Sequence, residues 1–147
     1  MREPAEGNTA PTYVGTVYPR DVDHMGHVNV ASYTTMFDSA TWVFFDRHGL
    51  GRTYFEASGC GMAALSQTIT YRRELFAGDT VMIRTDILEV REKIMRFRHT
   101  LCLASSGELV ATSELLGAHI DRGLHRTVPF PPQVADSLRR HLVSGEE

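Results

Sequence analysis

Nine consecutive residues, DVDHMGHVN from Asp21 to Asn29, carry two carboxylates, two imidazoles, a glycine and an amide. Three chemistries use such a set. The first is metal binding: His24 and His27 stand three apart beside Asp21 and Asp23, and these donors suit transition metals. The sequence identifies no third, distant ligand to complete that shell, so the expectation is no metal. Nucleophilic catalysis by serine fares no better. Ser32 and Ser39 fall in a helical pattern, no G-x-S-x-G turn occurs, and neither a P-loop nor a dinucleotide fingerprint is present. A carboxylate acting beside a helix N-terminus is left. Asn29 is a favoured N-cap, which makes Val30 the first helical residue. The first N–H groups of a helix lack intrahelical partners and carry about half a positive charge between them. They can hold an oxyanion while a carbonyl is attacked. Asp23 lies six residues before the cap, on a stretch able to fold back over that end. A plainer reading stays open from spacing alone, in which Asp21 and Asp23 only cap and solvate a turn.

The flanking elements must position this loop. Tyr13–Tyr18, YVGTVY, is β-prone and ends at Pro19, which predicts a first strand. From Val30 to about His48 the apolar period becomes helical, with Tyr33, Phe37, Ala40 and Phe44 on one face. Met36, Trp42 and Val43 widen that face, so the helix is expected to be covered on more than one side. Gly49 and Gly51 stop it. After Gly61 the period changes to two. A long strand is expected over GMAALSQTITYRRELF, with AGDT as the turn. The next strand alternates Val81, Ile83, Thr85 and Ile87 with polar neighbours, and a further one sets Met95, Phe97, His99, Leu101 and Leu103 on one face. SSGE makes a hairpin, a strand returns over Leu109 to about Asp121, and QVADSLRRHL forms a last short helix after a proline cluster. Four consecutive strands with short links predict an antiparallel meander with the apolar helix packed on it, an α+β domain. The pattern does not predict that the sheet curls.

Composition narrows the function further. The 147 residues suffice for one core, expected over residues 13–147 behind a flexible lead-in at 1–12. A net charge of -3 argues against a nucleic-acid binder. No apolar run approaches a membrane span or a secretory signal, and Cys60 and Cys102 form neither a disulfide framework nor a zinc spacing. The expected location is cytoplasmic, with both thiols reduced.

The segment DVDHMGHVNVASY, followed by FDSA, resembles the 4-hydroxybenzoyl-CoA thioesterase-like family of hotdog-fold acyl-CoA thioesterases. The likeness continues through YRRELFAGDTVMI and covers roughly Tyr13 to Pro132. It implies an antiparallel sheet wrapped around one long helix, and a homodimer or homotetramer whose sites lie between protomers. It also implies the roles at the site. Asp23 is the nucleophile or general base, and the Val30 backbone N–H is the oxyanion donor. Gly26 makes the turn, Asn29 caps the helix, and His27 agrees with the G-H-V-N form of the motif, where bracing the loop is favoured over touching substrate. Glu74 departs from the family's common proline. The implied substrate is an acyl-CoA thioester, and hydrolysis by this route needs no cofactor.

Coenzyme A is a polyanion, so basic residues should border the site. Arg91, Lys93, Arg96 and Arg98 are the candidates, with Arg72 and Arg73 behind them; exposed strand arginines also serve simply to keep an edge soluble. Tyr33, one turn past Val30, is the aromatic residue expected nearest the acyl group. Two rivals remain. A hotdog hydratase or dehydratase would use a histidine paired with an acid, but the H-F-P-G-x-P motif is missing and Asp23 and His27 are one residue too close for a hydratase pair. A non-catalytic acyl-CoA-binding module would keep the fold and need no Asp23.

Overall fold

The computed structural model describes residues 10–143. Strand β1 (Tyr13–Thr16) leads through a 3-10 turn at Pro19–Asp21 and the loop to helix α1 (Val30–Arg47). A short helix α2 (Arg52–Ser58) follows, then β2 (Cys60–Tyr71), β3 (Thr80–Val90), β4 (Ile94–Leu103), β5 (Leu109–Asp121), a two-residue β6 (Arg126–Thr127) and α3 (Pro132–Arg140). The lead-in expected at residues 1–12 falls outside the described residues as far as residue 9. Its last residue is held, since the Thr12 N–H donates to Ile83 O at 2.8 Å and its hydroxyl meets Thr85 Oγ1 at 2.9 Å.

The antiparallel sheet runs β1-β3-β4-β5-β2, with β6 beside β5, and curls around α1. The expected meander therefore holds only for β3, β4 and β5. β2 sits beyond β5, and Thr70 pairs with Thr112 there. Two strands separate it from β3, about 14 Å at ordinary strand spacing. Residues 72–79 cross that gap over one end of the sheet. The long strand expected up to Phe76 also stops early, at Tyr71, opposite Ala111. Only Val110 and Leu109 of β5 remain beyond that pair, and the Arg72 and Arg73 N–H groups converge on the single carbonyl of Val110, which ends the ladder. Bulges between Ala64 and Ser66, and between Ile87 and Glu89, add to the twist that bends the sheet.

Helix α1 carries the expected face. Tyr33, Met36, Phe37, Ala40, Phe44 and Phe45 are buried against the sheet. Fully burying an aromatic or aliphatic side chain of this kind is worth about 1.5–3 kcal/mol. Its flank is different from expectation: Trp42 is 53% and Val43 38% exposed, because nothing in the single chain covers that side. At the centre of the layer, His99 is fully buried and sits between Thr41 Oγ1 and Thr85 Oγ1, each at 2.7 Å. Burial holds it neutral, with a pKa lowered to about 3. Helix α2 was not expected. Its seven residues are too few for a period to declare itself, and tertiary contacts hold it: Tyr54 OH meets His119 Nε2 at 2.7 Å and Arg122 Nη2 donates to Phe55 O at 3.0 Å. No helix among the described residues is long and apolar enough to cross a membrane.

Candidate active site

The loop before α1 is a small hairpin. Val22 bridges Val28, the Asp23 N–H donates to His27 O at 3.1 Å, and the Gly26 N–H returns to Asp23 O at 3.1 Å. Gly26 sits at φ 85°, a left-handed conformation that side chains strain to adopt, with open space around it. The demand there is on the backbone, not on room. The hairpin is then tied to its surroundings: the Val28 N–H donates to Leu75 O at 2.9 Å and the Asn29 N–H to Asp21 O at 3.0 Å.

Asn29 is the N-cap, accepting the Ser32 N–H through Oδ1 at 2.9 Å. That cap uses the third helical N–H and leaves the first alone. The Val30 N–H has no intrahelical acceptor, and no loop acceptor meets it among the described residues. Val30 itself is 65% exposed at the open end of the helix.

The two carboxylates differ in what they touch. Asp21 Oδ2 accepts the Tyr18 N–H at 2.9 Å, and Ser32 Oγ lies 3.4 Å from its Oδ1. Asp23, half-buried, accepts the Met25 N–H at 2.8 Å through Oδ1, and its second oxygen has no partner among the described residues. His27 turns from both acids: Nδ1 lies 3.3 Å from Val28 O and Nε2 3.8 Å from Glu74 Oε1. Glu74 thus meets the loop through this ring. Among the described residues no three His, Cys, Asp or Glu side chains converge as a metal site.

Tyr33 lies beneath the helix start, buried and edge-on to Tyr71 with ring centres 5.0 Å apart. Burial first, and then Tyr71, raises its pKa. The basic candidates are not brought to the loop within one chain. Arg91 and Lys93 occupy the β3–β4 turn, whereas the loop packs where β3 begins, and the ten steps along β3 span roughly 33 Å. Arg91 pairs with Glu89 at 3.0 Å, Arg96 with Glu89 and Glu114 at 3.1 and 3.3 Å, and Arg98 with Asp86 at 3.8 Å. Arg72 is at the loop's end of the sheet, exposed, with its guanidinium unpaired among the described residues; Arg73 there is bound to Glu108. A second cation near the loop escaped notice in the sequence, Arg20, stacked over the Tyr18 ring at 4.6 Å.

The lining of one cavity was also not foreseen. Between α1 and β2 a space of about 200 Å³ is lined by Asp38, Trp42 and Phe45 on one side and Gln67, Phe97 and Gly117 on the other. The available signal was spacing: Thr34, Asp38, Trp42 and Phe45 recur along a helix face beside the core stripe.

An antiparallel sheet wrapped around one long helix is the arrangement of hotdog thioesterases. The thioesterase-like superfamily model matches residues 17–138. The chain belongs to that family, and with it to the thioester hydrolases. Betainyl-CoA thioesterase of Pseudomonas aeruginosa is 32% identical over 123 residues, 84% of this chain and 77% of that protein. A bifunctional L-carnitine dehydrogenase/betainyl-CoA thioesterase of Agrobacterium fabrum is 32% identical over 86% of this chain, which spans only 25% of its length. A Staphylococcus aureus protein solved in complex with CoA superposes with a TM-score of 0.84 at 23% identity, over 92% of this chain and 87% of that one.

Proposed function

We propose that the protein hydrolyses an acyl-CoA thioester to the free acid and CoA, with Asp23 as base or nucleophile and the Val30 N–H as oxyanion donor. The observation that carries this is a free Asp23 oxygen on the hairpin that leads directly into a helix start whose Val30 N–H is unsatisfied. In the general-base route Asp23 takes a proton from water, whose oxygen attacks the thioester carbon. The oxyanion rests on the Val30 N–H, the C–S bond breaks, and the CoA thiolate leaves with the proton that Asp23 held. In the nucleophilic route Asp23 itself attacks, CoA leaves, and water hydrolyses the mixed anhydride. Gly26, Asn29 and His27 hold the hairpin in both.

The working form is a symmetric homo-oligomer in a reducing, cytoplasmic setting. Supporting it are the open edge of β2, the exposed Trp42 and Leu65 beside that edge, and two free cysteines. Joining copies through β2 sets two α1 helices antiparallel and leaves a site shared between them. Such an arrangement also lets basic residues far from the loop in one chain approach the loop of the other, and Arg72 is the cation that supports a phosphate contact without help. The test is thiol release from a panel of acyl-CoAs by the purified protein. Release from at least one ester supports the reading; CoA binding without release from any would mean a binding module instead.

A further inference from the structure

We propose that the cavity between α1 and β2 receives the far end of the acyl group and selects one that carries a positive charge, a quaternary or protonated amine, with Asp38 and Trp42 as the residues that read it. The inference rests on the thioesterase reading and names its substrate class.

The cavity's chemistry is lopsided. Asp38 is the one ionisable side chain along its described lining, and no lysine, arginine or histidine lines it. The carboxylate has no hydrogen bond or ion pair among the described residues, unlike Asp21, Asp86 and Asp79, which all have partners. A lone anion at the wall of an apolar space repels an acyl group ending in a carboxylate and gains nothing from a plain hydrocarbon. Asp38 is exposed in the single chain, where water solvates it; once a ligand or a neighbouring copy covers the cavity, that charge is best matched by a cation on the ligand.

The wall beside it is suited to such a charge. Asp38 and Trp42 are one helical turn apart, on the same face. Trp42 is held edge-on by Phe45 and Phe55, at ring-centre distances of 6.5 and 6.2 Å, yet stays 53% exposed. An indole face attracts cations more strongly than the other aromatic rings. A carboxylate next to an aromatic wall answers both properties of a methylated ammonium, its charge and its greasy surface.

Size agrees. An apolar cavity of about 150 Å³ holds benzene, so about 200 Å³ suits a compact head group. Part of that space exists because residue 117 has no side chain: a Cβ there would come within 3.3 Å of Met62 Cε and 3.9 Å of Phe97. Asp38 lies eight residues beyond Val30, about 12 Å along the helix axis. A short acyl group cannot join the two within one helix, so the cavity serves a neighbouring copy's helix start, brought alongside by pairing through β2. A longer spacer would serve its own.

The experiment uses two matched pairs of CoA esters. Trimethylammonioacetyl-CoA is set against its neutral isostere 3,3-dimethylbutanoyl-CoA, and 4-trimethylammoniobutanoyl-CoA against 5,5-dimethylhexanoyl-CoA. The readout is the ratio of kcat/KM within each pair, so a general loss of activity in a variant cancels. The wild type is expected to favour the cation at least tenfold in one pair. Asp38→Asn should bring that ratio close to one, and Trp42→Leu should lower it several-fold. A wild-type ratio near one in both pairs, or an unchanged ratio in Asp38→Asn, overturns the inference while leaving thioester hydrolysis standing. If neither these four esters nor any in the wider panel is hydrolysed, the proposed function fails. The same esters are then stable ligands, and titration calorimetry reads the preference directly: tenfold tighter binding of the cation, lost in Asp38→Asn, upholds the cavity's role, and equal binding overturns it.

Discussion

Tyr18 and Asp21 close a turn on each other: the Tyr18 N–H donates to Asp21 Oδ2 at 2.9 Å, and Asn29 in turn donates its own N–H to Asp21 O at 3.0 Å. Asp21 is thereby a fastening for the loop, while Asp23 keeps an oxygen free. Asp23→Asn should lower the turnover number on the best acyl-CoA by about 10²–10⁴, the worth of a general base. Asp21→Asn should cost about tenfold or less through misplacement of the loop, together with about 1 kcal/mol of stability from the weakened turn. Turnover numbers alongside urea denaturation separate the two effects. A folded, fully active Asp23→Asn protein would end the mechanism.

The oxyanion donor is open to a test that spares the helix. Val30 is the first helical residue, where proline is well tolerated, and Asn29 before it is already extended at φ -79° and ψ 163°, as a residue preceding proline prefers. Val30→Pro deletes the N–H and little else. It should reduce kcat by about 10²–10³, the loss seen when one oxyanion-hole donor goes. Unchanged circular dichroism with unchanged kcat would remove this N–H from the mechanism.

Acid should weaken the fold through buried imidazoles. His99 has its pKa lowered to about 3 by burial, and His48 to about 4 by burial first and then by His141, Arg47 and Arg140. Unfolded histidine titrates near 6.5, so between that value and the folded one the unfolded chain binds more protons. Stability should therefore hold above pH 6.5 and fall steadily as pH drops toward 4. Urea midpoints at pH 7, 6, 5 and 4.5 measure this. His99→Gln, though less stable overall, should show a shallower fall; an identical slope would clear His99 of the effect.

Light scattering at micromolar concentration should give the mass of a dimer or tetramer. Leu65, 56% exposed on the open strand β2, is the residue to disturb. Leu65→Lys puts a charge on that strand and should shift the mass toward the monomer, with activity falling in step if the site is shared. A wild-type monomer would contradict the shared site.

Much of this architecture was legible in the sequence because it is local. The helix start could be read from Asn29 and its end from Gly49, and β5 was expected at the residues where it lies, since a cap, a stop and an alternating period are written in adjacent residues. The place of β2 was not, because alternation tells which face a residue takes and says nothing of which strand lies alongside. The same reason hides the Asp38 cavity, whose walls come from helix and edge strand. Among the site candidates, Asp23, Gly26, His27, Asn29 and Val30 are neighbours in the chain and come together. Arg91, Lys93, Arg96 and Arg98 were chosen for charge alone, and their distance from the loop is set by strand length.

The hydroxyls around His99 fix more than its charge. Thr41 has one hydroxyl proton and gives it to Phe37 O at 3.0 Å, so the proton between Thr41 and His99 has to come from the ring's Nε2. Nδ1 is then bare and takes the proton of Thr85, whose oxygen lies 2.9 Å from Thr12 Oγ1; the Thr12 hydroxyl has two acceptors within reach, Thr85 Oγ1 and Ile83 O at 3.2 Å. The imidazole is thereby held as a single tautomer, with its Nε2 proton turned toward α1 and bare Nδ1 toward Thr85. A second proton on Nδ1 would turn the Thr85 hydroxyl toward Thr12 and the Thr12 hydroxyl onto Ile83 O, so protonating one buried ring resets the donors along its whole row.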